Sequence, residues 1–98
     1  MKELSKLSPY ELGESGRAEA VRYLILYLSK GTANERRLAA SAINKLSEIH
    51  QEECSKAIPF LIENLSDSHP QVRQYTLKAL AKLPLSEVDY RVVEEISA

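Results

Sequence analysis

The chain has 98 residues, 44% of them apolar, which is enough for one small core with little surplus. Its 13 basic and 14 acidic side chains leave a net charge of -1, excluding a strong long-range field toward nucleic acid or acidic membranes, so any electrostatic preference must be local. The single cysteine, Cys54, rules out an internal disulfide, the longest apolar stretch (YLILYL, 23–28) is too short to span a bilayer, and MKELSKL lacks the apolar run of a signal peptide; a soluble protein of the reducing cytoplasm is expected.

Taken from the N-terminus, SPYE at 8–11 has the spacing of a capping box and predicts a short helical turn before Gly13 and Gly16. Leu4, Leu7, Tyr10 and Leu12 are then expected to cover the exposed apolar edge of the first helix pair. Val21, Leu24, Ile25 and Leu28 stand at i, i+3, i+4 and i+7, one face of a helix. After a turn at SKGTAN (29–34), Ala39, Ala42, Ile43 and Leu46 form the buried face of a second helix. A further helix is expected over about 53–65, with Ile58, Leu61, Ile62 and Leu65 on one stripe and Pro59 kinking it or pushing its start later. Small polar residues at 66–69 break the chain, Pro70 suits the first turn of the next helix, and Val72, Thr76, Ala79, Leu80 and Leu83 make its buried face before Pro84 stops it. Ser86 and Asp89 then cap a terminal helix with Val88, Val92 and Ile96 in one line.

The two helix pairs are one pattern written twice. Residues 20–46 laid over 57–83, a constant shift of 37 without a gap, are identical at nine of 27 positions, among them Leu24/Leu61, Leu28/Leu65, Arg36/Arg73 and Leu46/Leu83. Most of the matches are apolar, so they mark a shared core rather than a shared chemistry.

The stretch DSHPQVRQYTLKALAKL (67–83) resembles the second helix of a HEAT repeat, in the Asp-x-x-Pro-x-Val-Arg form of the phycobilisome-lyase-type HEAT-like repeats. The resemblance implies an all-α fold: a short right-handed α-solenoid of two HEAT-like helical hairpins with a terminal helix and a short N-terminal helical cap. The expected division of this single domain is 1–16 for the cap, 17–49 and 50–84 for the two repeats, and 85–98 for the terminal helix or a partial third repeat. It also implies structural roles for Asp67 and Arg73, which in the family bond within and between units. The first copy keeps Arg36 but has Lys30 where the aspartate belongs, so Arg36 needs another acceptor, with Asp67 of the next unit a candidate. Proline within the first helix, as at Pro59, is common in the family. Two complete units are few for such a stack. The ends therefore act as caps, or pair two copies as a homodimer through the terminal helices, or mark a piece of a longer array.

No constellation of catalytic residues emerges. His50 and Cys54 share a helix face at ligand spacing, but no further pair completes a metal site. The glycines spell neither a dinucleotide fingerprint nor a phosphate loop, and the paired glutamates at 52–53 and 94–95 diverge by about 100° on a helix. No enzyme, cofactor or metal is expected. Tyr10, Tyr23, Tyr27, Tyr75 and Tyr90 offer stacking surfaces, although Tyr23 mirrors Phe60 as packing.

One local feature stands out. The two second helices carry Arg36, Arg37, Lys45, Arg73, Lys78 and Lys82 against Glu35 and Glu48, a net of +4 in a chain of -1 overall. Arg37, Ser41 and Asn44 in one copy and Gln74 and Lys78 in the other lie opposite the buried stripe, with Lys45 and Lys82 on the flank. A non-catalytic module binding a protein partner on this ridge is the leading expectation. Weak phosphate-backbone binding to nucleic acid through the same ridge is the first alternative. An accessory subunit or detached domain of a larger enzyme is the second.

Overall fold

The computed structural model describes residues 3–97, among which all regular structure is helical. A 3₁₀ turn (Leu4–Lys6) leads to α1 (Pro9–Glu14), where Ser8 accepts from the Glu11 N–H and the Glu11 carboxylate accepts from the Ser8 N–H. These are two of the donors that a first helical turn leaves without an internal partner. α2 (Ala20–Lys30) and α3 (Ala33–Leu46) form a hairpin closed by Gly31 and Thr32, and Thr32 with Glu35 repeats the capping box at α3. α4 (Gln51–Cys54), a second 3₁₀ turn (Ser55–Ala57) and α5 (Ile58–Asn64) come next in series. The uninterrupted helix expected over 53–65 is thus divided. Pro59 has no N–H for the carbonyl one turn back and fits only near a helix start, so α5 begins one residue before it. α6 (Pro70–Leu80) opens on Pro70, and α7 (Glu87–Ser97) is capped by reciprocal bonds between Ser86 and Asp89.

The helices stack in two layers, with α2, α5 and α7 in one and α1, α3 and α6 in the other. The thinnest extent, 15 Å, is that of two packed helices, whose axes lie about 8–10 Å apart with Cα radii of about 2.3 Å on either side. Burial follows the repeat. Leu24 and Leu61, Ile43 and Leu80, Ala42 and Ala79, and Leu46 and Leu83 are buried in both copies. The all-α solenoid therefore rests on one apolar pattern applied twice.

The unit boundaries are bridged at equivalent positions by chemically different side chains. Tyr27 Oη donates to the Leu7 carbonyl at 3.1 Å, and 37 residues later Asn64 Nδ2 donates to the Leu28 carbonyl at 3.1 Å. Leu28 lies in the last turn of α2, where carbonyls lack internal partners, so the buried Asn64 answers a need created by the previous unit.

Both ends depart from the sequence expectation in detail. Leu12 is fully buried and Leu4 and Leu7 are half-buried, but Tyr10 is 63% exposed. α1 lies in the second-helix layer against α3, approaching so closely that a Cβ on Gly13 would stand 2.9 Å from Ala42 Cβ. This close contact turns Tyr10 outward. In α7 the side chain on the core is Val93, with Leu85 beside it, whereas Val88 is 70% exposed and Ile96 38%. The apolar arc of α7 is wider than one stripe, and its Val93 edge is the one turned to the core, where α7 packs on α5.

Candidate functional site

The equivalent arginines of the two copies have different surroundings. Arg36 Nε donates to Asp67 Oδ2 at 2.7 Å and Arg36 Nη1 to the Gly31 carbonyl at 2.7 Å. Asp67 also accepts from the His69 N–H at 2.9 Å. Burial by itself would raise the Asp67 carboxyl, but the Arg36 hydrogen bond, the two bonds from His69 and the Arg36 charge outweigh it and hold the pKa down to about 2. Arg73 donates to the Asp67 backbone carbonyl at 2.7 Å. Each arginine thus fastens the turn of its own hairpin. Arg36 in addition receives a carboxylate from the following unit, and among the described residues Arg73 forms no ion pair.

Of the ridge residues, the structure brings two, Arg37 and Lys78, to one aromatic ring. Arg37 lies with its guanidinium carbon 5.6 Å from the centre of the Tyr75 ring, and Lys78 Nζ lies 5.2 Å from the same ring. Gln74, exposed, stands beside them on α6. Arg37 is also held by Asn34 Oδ1 at 2.6 Å. Tyr75 is half-buried and packed against the core, so the two cations meet a ring whose other side is covered. An aromatic face attracts such cations, the more so as water is removed.

The other two lysines are turned to carboxylates. Lys45 forms an ion pair with Glu14 of α1, a hydrogen bond that raises the Lys45 pKa, and Lys82 Nζ donates to Glu48 Oε1 at 2.8 Å, which lowers the Glu48 carboxyl. Both pairs are exposed and of the weak kind, yet they remove free charge from the ends of the ridge. Ser41 and Asn44 are half-buried because α3 is flanked by α1 and α6. Asn44 Oδ1 is buried without a hydrogen-bond partner. The Lys78–Tyr75 contact has a sequence signal, the i,i+3 spacing. The approach of Arg37 has none, because it depends on how α3 and α6 dock.

The His50 and Cys54 pair does not converge. His50 Nε2 lies 2.8 Å from the carbonyl of Gly16, whose φ of 67° aims that peptide back toward α4, and Cys54 is buried with its Sγ 3.7 Å from the Ile43 carbonyl. Burial, with a smaller effect of the Glu53 charge, pushes the thiol up to about 11, so it stays protonated at neutral pH and is a poor nucleophile. Among the described residues no group of three or more His, Cys, Asp or Glu is arranged to hold a metal ion. No helix among them is long and apolar enough to cross a membrane.

With this geometry in place, comparison with known proteins gives one match: the family model of the HEAT-like repeat covers residues 33–83. No curated protein and no solved structure matches the chain.

Proposed function

Because the chain belongs to the HEAT-like repeat family, whose repeats generally mediate protein–protein interaction without catalysis, we propose that it is a docking module for an acidic segment of a partner protein, held across the outer faces of α3 and α6. The observation that carries this reading is the Arg37–Tyr75–Lys78 cluster, two cations on one half-buried ring that form no ion pair among the described residues. An aromatic with flanking cations has the make-up of an interface hot spot, since it joins a large rigid contact area to charge that a carboxylate can answer. Gln74 supplies a neutral hydrogen-bonding group beside it. Lys45 and Lys82, already paired, form the weaker rim with Ser41 and Asn44.

Affinity capture with the wild-type chain and with Arg37→Glu/Lys78→Glu tests this. A partner held by the first and lost by roughly tenfold or more with the second supports the cluster. A partner that survives the double reversal removes it from the account. Duplex DNA run in parallel at low salt separates the nucleic-acid alternative: a shift of DNA that the same reversal abolishes would reassign the site to phosphate.

A further inference from the structure

The edge of α6 facing away from α3 repeats the edge of α3 that α6 covers. Under the shift of 37 residues, Arg36, Ala40 and Ile43 of α3 correspond to Arg73, Leu77 and Leu80 of α6. On α3 this edge is sealed: Ala40 and Ile43 are fully buried and Arg36 is paired with Asp67, which stands three residues ahead of α6. On α6 the same edge opens into a groove of about 250 Å³, where Leu77, Leu80 and Ala81 face Leu85, Tyr90 and Val93. Leu77 is 42% and Tyr90 59% exposed. Among the described residues no helix covers it. Glu94 stands on its α7 rim, and Arg73 lies one turn before Leu77 on α6, so the two sides differ in charge.

We propose that this groove seats one amphipathic helix of a partner protein, placed against α6 and α7 as α6 is placed against α3 and α5. The repeat specifies the chemistry of that helix. Its inner face carries small and branched residues at i, i+4, i+7 and i+8, as Val72, Thr76, Ala79 and Leu80 do on α6. A carboxylate stands about one turn ahead of its start to meet Arg73, as Asp67 meets Arg36. A lysine or arginine on its opposite flank answers Glu94. This site is separate from the Tyr75 cluster, which faces α3.

The chain itself contains a probe with these properties: residues 66–83, which include Asp67 and the whole of α6. A fluorescently labelled peptide of that sequence, titrated into the intact 98-residue protein, is expected to bind saturably. Leu77→Glu or Arg73→Glu in the protein weakens it by about tenfold, Lys56→Glu, on the exposed turn before α5, leaves it unchanged, and an Asp67→Lys peptide recovers binding to the Arg73→Glu protein. Absence of saturable binding up to about millimolar peptide overturns the proposal, as does binding indifferent to Leu77→Glu, which would mean that the peptide displaces the resident α6. A wild-type dimer in sedimentation that Leu77→Glu dissociates would also overturn it, by giving the groove to a second copy.

Discussion

Ala40 in α3 and Leu77 in α6 hold the same place in the repeat, but the alanine is completely buried and the leucine is 42% exposed. Arg36 and Arg73 differ in the same way, one clasped to Asp67 and the other bound to a backbone carbonyl alone. The two helices share a pattern on the side that meets their own hairpin partner. They diverge on the side that meets the neighbouring unit. α3 has α1 and α6 as flanking neighbours; α6 has α3 on one flank and the open groove on the other. A repeat therefore dictates what each unit does internally, and the position of the unit in the stack dictates what its edges are free to do.

The largest effects test the shared side. Ile43 and Leu80 are equivalent and almost wholly buried, so Ile43→Ala and Leu80→Ala should each cost about 2 to 5 kcal/mol in urea denaturation. Similar losses in both would show that the two hairpins rest on one kind of core. A loss below about 1 kcal/mol in either would break the equivalence.

Smaller effects test the divergent side by exchanging its residues. Ala40→Leu places in α3 what α6 already has, but there the added side chain meets a sealed interface and should cost about 1 to 3 kcal/mol. Leu77→Ala makes the reverse change in α6 and should cost less than about 1 kcal/mol, because much of Leu77 is already in water. Equal costs would mean that the α6 edge is covered in solution and would sharpen the case for an occupant.

These edges also mark where the sequence ceases to specify contacts. The stripes of Leu24, Leu28, Leu61 and Leu80 are legible because helical period alone brings them together, and the caps at Ser8 and Ser86 because capping is a contact three residues long. Lys45 with Glu14, and Lys82 with Glu48, are separated by 31 and 34 residues, so a sum of charges over the second helices counts the lysines as free when the fold pairs them. Tyr75 is legible as a candidate aromatic, but its meeting with Arg37 depends on the docking of α3 on α6. In α7 the apolar arc spans Val88, Val92, Val93 and Ile96, and periodicity cannot say which edge of so wide an arc a neighbour will take. Asn64 is the hardest case: its partner is the Leu28 carbonyl, a backbone atom with no identity in the sequence.

The finest test concerns the arginines, and pH provides it. Asp67 is 9% exposed and its pKa is held to about 2, below the value near 3.9 expected in the unfolded chain, so its ionised form stabilises the fold. That contribution is complete above the unfolded value and is lost as pH falls from about 4 toward 2. Asp67→Asn keeps an oxygen to accept from the His69 N–H but removes the charge that Arg36 meets, and should cost about 2 kcal/mol at pH 6. The gap between wild type and variant should narrow as pH is lowered and be small at pH 2, where the carboxylate is about half protonated in the fold and almost wholly protonated in the unfolded chain. Arg73→Met should change stability by no more than about 0.5 kcal/mol and leave the acid limb of the wild-type profile intact, since an exposed arginine on a carbonyl has no carboxylate to titrate. If Arg73→Met instead flattened that limb, Asp67 would owe its low pKa to its own unit rather than to Arg36 across the boundary, and the asymmetry between the two edges would disappear.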